Sequence, residues 1–423
     1  MRRLTRYILL LCTLITVLLA PSCGNKNKPE EKTTPQTIIF YLSGTSLNWA
    51  FNANVQDIEA ALQRDIKGNS RVVVVWQNGV AKQAEAIELC YEQGVITRKS
   101  LAEYTLANTM SEADLSYIFN DVMRLAPATS YGLVVGSHSW SWIPIDDYDQ
   151  IRSNGLSKSI LSRLRIQELP RHLQTRFIGD PGGANKFDIT TLSSAIAATG
   201  KKFEYIIFDA CFMANVEAVY ELRNSAKYII GSACEIMGNG FPYSKTLPHL
   251  LTNGGRSYDL AAAAKSFHDH YKNTLQYSGT IALISCAQLD ALALSMKEVN
   301  KSMSEEYDRS ALQSYEGGTN HIFFDLGDYV DKVCTNETAK ASFKAQLEKT
   351  VPTKFTLSTF WSTYINSNHY PVTSFSGLST SAPSILFRDS YAQTAWYKVV
   401  FHTLFTCENI YVVNPLHVSY KRN

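Results

Sequence analysis

Cys211 stands where the sequence changes abruptly from one structural pattern to another. Residues 203–208 form an apolar, β-branched run of the length expected for a strand buried on both faces of a parallel sheet. From Phe212 onward apolar residues recur at helical spacing, which predicts that Cys211 lies on a strand-to-helix turn. A helix N-terminus favours a thiolate over a thiol, so the position suits a nucleophile. A plain buried cysteine is the alternative.

A histidine occupies the equivalent place after a second strand pattern. His138 directly follows residues 131–137, YGLVVGS, another short run typical of a buried strand. If the two strands are parallel neighbours, their carboxyl ends emerge on the same rim of the sheet, where open α/β sheets bind their ligands. His138 and Cys211 would then face each other across one cleft. This is the arrangement that acyl transfer requires, because the histidine can take the thiol proton and later protonate a leaving amine.

The preceding segments indicate how the chain builds such a sheet. Strand patterns at residues 37–42 and 71–76 flank a helical pattern at 54–62, and this order is a βαβ signal that implies parallel strands. Ser111 with Asp114 predicts a capping box that opens a helix over 113–125, which leads into the histidine strand. Further patterns predict strands at 84–91, 226–233 and 280–286 and helices at 188–198, 289–303 and 325–333.

The residues around both candidate positions also carry a family resemblance. His138 begins the segment HSWSWIP, and residues 209–213 read DACFM with Glu217 following. Further matches are Ser232 and Glu235 with the run GNGFPY, then FDLGD at 324–328 and GLS at 377–379. Over roughly residues 37 to 400 the chain resembles the clostripain family of cysteine peptidases, relatives of caspases, legumains and gingipains.

This resemblance implies the fold, and the strand and helix patterns along the chain give the domain organisation. We expect an α/β fold, a caspase-like and mostly parallel sheet flanked by helices, over residues 37–288, followed by a smaller C-terminal α+β domain over 289–423. Family members are typically activated by self-cleavage between the two catalytic strands. Here that region, 146–186, is polar and rich in basic side chains, and Arg152 and Lys158 are candidate cleavage sites. The alternative is a solvated basic loop without processing.

Several neighbouring residues are candidates for binding substrate. The tetrahedral oxyanion needs preorganised N–H donors, for which the backbone amides of Ser139 and Cys211 are the candidates. In the family the acid two residues before the cysteine helps to bind a P1 arginine or lysine, and Asp209 matches it. Asp209 could instead cap the following helix. Asn239 stands where relatives often carry a second acid, and Trp142 either walls a substrate groove or belongs to a structural aromatic loop.

The N-terminus has the features of a secreted lipoprotein. Residues 1–22 contain a basic start and an apolar stretch too short to span a membrane reliably. The run APSC then predicts lipidation at Cys23, with a plain signal peptide as the alternative. Residues 23–36 would form a lipidated, flexible tether. We expect attachment in the bacterial cell envelope, on the outer membrane facing the periplasm or the cell surface, and lysines after Cys23 favour the periplasmic face.

Charge and cysteine spacing exclude several other classes. The 40 basic and 38 acidic side chains become 37 and 38 once the three leader arginines are removed, a formal charge of −1. This balance gives no sign of a nucleic-acid partner. The cysteines are scattered, which argues against a disulfide framework, and no CxxC or HExxH pair indicates zinc. No cofactor is expected, although clostripain itself depends on calcium.

We therefore expect a monomeric cysteine endopeptidase that cleaves protein or peptide substrates, after arginine or lysine, with a Cys211–His138 dyad. A rival from another class is a non-catalytic, peptide-binding lipoprotein of the same fold. Ser139 and Ser141 stand where relatives usually have glycine, and together with Asn239 they motivate this rival. The retained cysteine and histidine argue against it.

Overall fold

Strand β1 (Thr34–Leu42) lies inside a nine-stranded sheet and is buried on both faces. Ile39 and Tyr41 belong to one apolar layer, whereas Ile38, Phe40 and Leu42 belong to the layer on the opposite face. Alternate side chains of a strand point to opposite faces, so a continuous apolar run can serve both layers. The two-sided burial that the sequence predicts for residues 203–208 is confirmed as well, because Phe203, Ile206 and Phe208 lie in the first layer and Tyr205 and Ile207 in the second.

The computed structural model describes residues 34–65, 70–79, 82–145, 178–179, 184–252, 257–274, 279–304, 306–317, 321–363 and 367–401. The predicted leader and its tether with Cys23 lie outside the described residues, as do residues 146–177 and 180–183 of the basic segment. No helix in the described ranges has both the length and the apolar character needed to cross a bilayer.

The other strands of the sheet are β2 (Ser70–Trp76), β3 (Gln83–Glu92), β4 (Val95–Thr105), β5 (Ala128–Gly136), β6 (Phe203–Asp209), β7 (Ala226–Gly231), β8 (Thr280–Ser285) and β10 (Thr353–Thr356). The two-residue strand β9 (Phe324–Asp325) lies between β8 and β10 in the sequence but is not part of this sheet. Their order across the sheet is β10-β8-β7-β6-β5-β1-β2-β3-β4. The five central strands from β7 to β2 are parallel, and the pairs at both edges are antiparallel. The predicted fold, a mostly parallel central sheet flanked by helices, is confirmed.

Helices cover both faces of this sheet. They are α1 (Asn48–Asp65), α2 (Glu112–Leu125), α3 (Ile189–Ala198), α4 (Val216–Glu221), α5 (Tyr243–Leu250), α6 (Leu260–Asn273), α7 (Leu289–Asn300), α8 (Leu326–Val333), α9 (Glu337–Thr350), α10 (Arg388–Tyr391) and α11 (Ala395–Phe401). Apolar residues of α1, α5 and α6 fill one layer, and those of α2, α3, α4 and α7 fill the other.

The antiparallel edge beyond β2 was only half predicted from the sequence. The expected strand at 84–91 is present as β3, but it continues into a hairpin with β4, which the sequence reading missed. The two turn residues, Gln93 and Gly94, have φ angles of 50° and 87°. Two consecutive residues with positive φ form the turn type that matches the twist of a hairpin. Glutamine at the first position concealed the turn, because asparagine or glycine is the usual signal there.

The segment beyond residue 289 contributes a strand to the central sheet. Its strand β10 pairs with β8, while β11 (Thr359–Ser362) and β12 (Asn368–Pro371) form a separate hairpin. A last short strand, β13 (Ser379–Thr380), pairs with β9. The division into domains at residue 288 stays a prediction.

The capping box predicted at Ser111 is present and offers a stability test. The Ser111 hydroxyl accepts from the Asp114 amide, and the Asp114 carboxylate accepts from the Ser111 amide at 2.8 Å. Ser111→Ala should lower the free energy of unfolding in urea by about 1 kcal/mol, because one helix N–H loses its partner. Ser116→Ala, in the same helix, should leave it nearly unchanged, since that hydroxyl donates to the Ala113 carbonyl and does not cap a helix N–H. Equal losses from both variants would contradict the capping role.

Candidate active site

His138 and Cys211 lie at the same rim of the sheet. Strands β5 and β6 are parallel neighbours, and Gly136 with Asp209 is their last paired position. The Ser137 amide continues the contact by donating to the Asp209 carbonyl at 3.2 Å. His138 and Cys211 each follow this last pair by two residues. The prediction that the two strands are parallel neighbours with a shared carboxyl edge is therefore confirmed.

Cys211 does not lie at a helix N-terminus, and this part of the sequence interpretation was wrong. Helix α4 begins only at Val216, and Asn215 is its N-cap. The intervening residues cannot be helical because Phe212 has a φ angle of 60°. The Phe212 and Ala214 amides donate to the carbonyls of Cys234 and Ser232 rather than to a helical turn. The apolar spacing reflects packing beside β7 and not helix.

The surroundings of the Cys211 thiol favour its neutral form. Its Sγ accepts a hydrogen bond from the Ile236 amide at 3.3 Å, which favours a thiolate. Burial of the thiol has the larger effect, and the Glu235 carboxylate adds a negative charge nearby. Both raise the pKa of Cys211 well above its ordinary value. The cysteine therefore needs a base to remove its proton.

Glu235 is held in place by the hairpin strand β11. Its carboxylate accepts from the Ser362 hydroxyl at 2.6 Å and from the Thr363 hydroxyl and amide at 2.6 to 3.1 Å. Burial raises the pKa of Glu235, and these donors counteract the rise. Glu235 thus links the rim of the sheet that carries Cys211 to the hairpin formed by β11 and β12.

The His138 ring is half-buried and contacts the turn that follows β1. The Ser46 hydroxyl lies 3.0 Å from Nε2 of the ring. On the backbone side, the Gly179 amide donates to the His138 carbonyl at 3.4 Å. The sequence reading gave no role to Ser46. The sequence could have indicated Ser46 only through its position, four residues after the end of β1, because β1 and β5 end at the same rim of the sheet.

Ser139 is fully buried beside the histidine. Its hydroxyl donates to the sulfur of Met213 at 2.9 Å and accepts from the Ser141 amide at the same distance. Within the described ranges, neither the Ser139 amide nor the Cys211 amide donates a hydrogen bond. The Ser139 side chain therefore joins the core, and both candidate oxyanion amides are unpaired with other described groups.

Trp142 does not wall a groove, and that candidate is corrected. Its side chain is 5% exposed, its Nε1 donates to the Ser381 hydroxyl at 2.9 Å, and its ring packs edge-on against Tyr391. The neighbouring Trp140 is buried as well and packs against Phe212. The alternative reading, a structural aromatic loop, is the correct one for these residues. Apolar rings after a strand favour core packing when another layer can cover them.

Asp209 contacts the loop at residues 238–243, GNGFPY, rather than the following helix. Its Oδ2 accepts from the Phe241 amide at 3.1 Å and from the Tyr243 hydroxyl at 2.8 Å. Asp209 is 9% exposed, and burial raises its pKa to about 6, against the lowering effect of these two donors. In the described part of the chain no lysine or arginine forms an ion pair with it. A buried carboxylate without a cation is costly unless a ligand supplies one.

A glycine at position 240 is required by this contact. A Cβ there would come within 2.3 Å of the Asp209 carboxylate, and the residue has a φ angle of 66°. Both conditions restrict the position to glycine. The loop can therefore approach the carboxylate closely enough for the Phe241 amide to bind it.

The same loop carries Asn239 and contacts an aromatic ring that the sequence reading missed. Asn239 is exposed, and its carbonyl accepts from Asn54 of α1 at 3.0 Å. Trp49, also on α1, is 62% exposed, and its ring lies against Gly238, where a Cβ would approach it to 2.8 Å. An exposed tryptophan beside a candidate pocket is a signal that only the folded chain provides.

The remaining family motifs brace the segment behind Cys211. The Ser379 amide donates to the Ala214 carbonyl at 2.8 Å, and Asp325 caps α8 next to β13. Glu217 is buried and accepts from Thr380 and the Ser381 amide, and burial raises its pKa to about 7. These contacts are structural. The described residues include no group of three His, Cys, Asp or Glu side chains that could hold a metal ion.

Comparison with known proteins places this geometry in a family. The model of the clostripain family matches residues 52–404. A secreted C11 cysteine protease from Bacteroides thetaiotaomicron, called iotapain, is 33% identical with a TM-score of 0.76, covering 87% of this chain and 99% of its own. An inactive zymogen C11 protease from Parabacteroides distasonis is 28% identical, with a TM-score of 0.70 and coverages of 87% and 98%.

A third structure shares the fold, with a TM-score of 0.71 at 22% identity over 87% of this chain and 99% of its own. It is a secreted C11 cysteine protease from Bacteroides thetaiotaomicron in complex with an irreversible peptide inhibitor. The search of curated proteins found no match. The family match spans most of the chain, and the described site has the strand arrangement predicted from the strand patterns in the sequence, so this chain belongs to the clostripain family and is a cysteine protease.

Proposed function

We propose that the chain is an endopeptidase that uses Cys211 and His138 as a catalytic dyad. The observation that carries the proposal is the β5–β6 register, with each residue two positions beyond the same last pair. The pKa of the Cys211 thiol is raised, so the attack is coupled to removal of its proton by His138. The new S–C bond forms as the peptide carbonyl becomes an oxyanion.

The remaining steps return the enzyme to its starting state. The imidazolium of His138 gives its proton to the leaving amine as the peptide C–N bond breaks, which leaves a thioester on Cys211. Water then attacks the thioester, His138 takes the proton from the water, and the thiol and a carboxylic acid are released. The amides of Cys211 and Ser139 are the proposed oxyanion donors. Ser139 is buried, so its amide would have to become accessible when substrate binds.

We propose that Asp209 selects substrates with arginine or lysine at P1. The support is a buried carboxylate that has two neutral hydrogen-bond donors and no described cation. A guanidinium or ammonium group from the substrate would supply the missing charge. The neutral Asn239 leaves Asp209 as the acid of this pocket, and the exposed Trp49 is proposed to pack along the P1 side chain.

We further propose a secreted, lipid-anchored monomer that is processed between residues 146 and 186. The run APSC supports lipidation of Cys23, and the description of one relative as secreted supports a location outside the cytoplasm. The Gly179 contact with His138 supports a link between this segment and the site. Mass spectrometry of the mature protein tests both points, and an unmodified Cys23 or an intact but active chain would contradict them.

The dyad is tested by hydrolysis of a pooled fluorogenic peptide library, before and after limited trypsin treatment. Cys211→Ala and His138→Ala should each lower kcat by roughly a thousandfold or more, because each removes a member of the reacting pair. Cys90→Ala removes a thiol on β3 and should retain the wild-type rate. Wild-type activity no greater than that of Cys211→Ala would overturn the proposal and favour a peptide-binding protein.

Selection by Asp209 is tested with paired substrates that differ only in P1 arginine or leucine. Asp209→Asn should reduce the arginine-to-leucine ratio of kcat/KM by about ten- to a hundredfold, because a charge-assisted contact is lost. The exposed control Asp331→Asn should leave the ratio unchanged.

The same ratio should depend on pH. In the wild type the Asp209 carboxylate is charged above its pKa of about 6, so the arginine-to-leucine ratio should fall as the pH drops through about 6. A pH effect on the catalytic steps that both substrates share cancels in the ratio. A ratio independent of Asp209 and of pH would place the specificity elsewhere.

The electrostatic effect of Glu235 is tested by alkylation of Cys211. Glu235→Gln keeps an oxygen for Ser362 but removes the negative charge that raises the pKa of the thiol. The Cys211 peptide should then be alkylated by iodoacetamide faster at neutral pH, with its pH profile moved to lower pH. Glu348→Gln, an exposed helix position, is the control. An unmoved profile would show that burial alone sets the thiol pKa.

A further inference from the structure

The turn after β1 lies beside the ring of His138. Strand β1 is the neighbour of β5 on the side opposite β6, and its last paired residue, Leu42, is matched with Gly136. The Ser46 hydroxyl lies 3.0 Å from Nε2 of His138, and a Cβ at Gly44 would be 4.0 Å from Cδ2 of the ring. The histidine thus stands between the strand that carries Cys211 and the turn that carries Ser46.

The turn is held in one conformation by the backbone and by a neighbouring strand. Gly44 has a φ angle of 127°, which L-residues rarely adopt. Its amide donates to Oε1 of Gln77 at 3.3 Å, and its carbonyl accepts from the Leu47 amide at 3.1 Å. Gln77 directly follows β2 and is itself buried, and its backbone amide donates to the Leu42 carbonyl. Ser46 is therefore placed by the ends of β1 and β2 before any substrate binds.

The two ring nitrogens of a neutral histidine have different roles. One carries a hydrogen and the other a lone pair, and only the lone pair can accept a proton from a thiol. We infer that the Ser46 hydroxyl accepts the hydrogen on Nε2, so that Nδ1 carries the lone pair and is the atom that takes the Cys211 proton. This inference rests on the proposed dyad. It makes Ser46 a positioning residue, which acts through His138 and does not touch the reacting carbonyl.

The same contact has a consequence during the reaction. When Nδ1 becomes protonated, the ring carries a positive charge that extends to Nε2–H. A hydrogen bond from this N–H to the Ser46 oxygen then strengthens, because its donor is charged. The contact therefore favours the correct tautomer before attack and stabilises the imidazolium formed by it.

The opposite arrangement makes opposite predictions. If the Ser46 hydroxyl donates to a lone pair on Nε2, the ring hydrogen is on Nδ1, and Nδ1 cannot act as the base. Ser46 would then restrain an inactive tautomer, and its removal would leave kcat unchanged or raise it. The two arrangements share one distance, so they are separated by spectroscopy and kinetics.

The kinetic test uses three variants of the purified protein. Ser46→Ala should lower kcat by about ten- to a hundredfold and change KM less than about twofold, because one hydrogen bond to a charged ring is lost while the substrate contacts remain. Ser46→Thr keeps the hydroxyl and should restore most of kcat. Ser116→Ala, at a half-buried position of α2 whose hydroxyl donates to the Ala113 carbonyl, should match the wild type. An unchanged or raised kcat in Ser46→Ala would overturn the inference.

A second readout does not depend on activity. Nitrogen-15 NMR of histidine-labelled protein distinguishes the two tautomers, and His138→Gln identifies the His138 signals among the nine histidines. We expect the Nε2–H tautomer at His138 in the wild type and a mixture in Ser46→Ala. An Nδ1–H tautomer in the wild type would overturn the inference even in an active enzyme. Loss of the proposed peptidase activity would appear separately, as a wild-type rate equal to that of Cys211→Ala.

Discussion

The register between β5 and β6 is the constraint on which the site depends. Both strands are buried on two faces, so a shift of one residue would send every apolar side chain to the wrong layer. The pairing of Gly132 with Tyr205 adds a steric lock, since a Cβ at position 132 would come within 2.4 Å of the tyrosine ring. The Tyr205 hydroxyl donates to the Leu250 carbonyl, which fixes the ring in turn. Core packing thereby determines where His138 and Cys211 emerge.

The rim itself is shaped by contacts that reach across the whole chain. Ser379 pairs with the segment after Cys211, and β11 holds Glu235 beside the thiol. These contacts replace the helix that would have followed the cysteine directly. As a result, the helix that follows Cys211 begins only at Val216, and burial raises the pKa of the thiol. In the proposed mechanism the histidine performs the activation, so its orientation matters more than the intrinsic acidity of the cysteine.

The sequence was sufficient for elements whose signals are local. Five parallel strands, the capping box at Ser111 and the shared rim follow from apolar runs, side-chain hydrogen bonding and the order of elements. The errors arose where distant residues decide the outcome. Phe212 is not helical because its amide donates to the carbonyl of Cys234. Trp142 is buried because Ser381 and Tyr391 pack over it. Ser46 and Trp49 gained their neighbours only on folding, since His138 and Gly238 are far away in the sequence.

The most direct measurement is a crystal structure of the protein after reaction with a peptide acyloxymethyl ketone that carries lysine at P1. The account predicts that Cys211 Sγ is bonded to the methylene carbon beside the ketone, from which the acyloxy group has left as a carboxylate. The His138 ring should lie beside the adduct, and the lysine ammonium should lie at the Asp209 carboxylate. The ketone oxygen should accept from the Cys211 amide. A reagent bound to another cysteine, or a His138 ring turned away from the adduct, would contradict the assignment of the dyad.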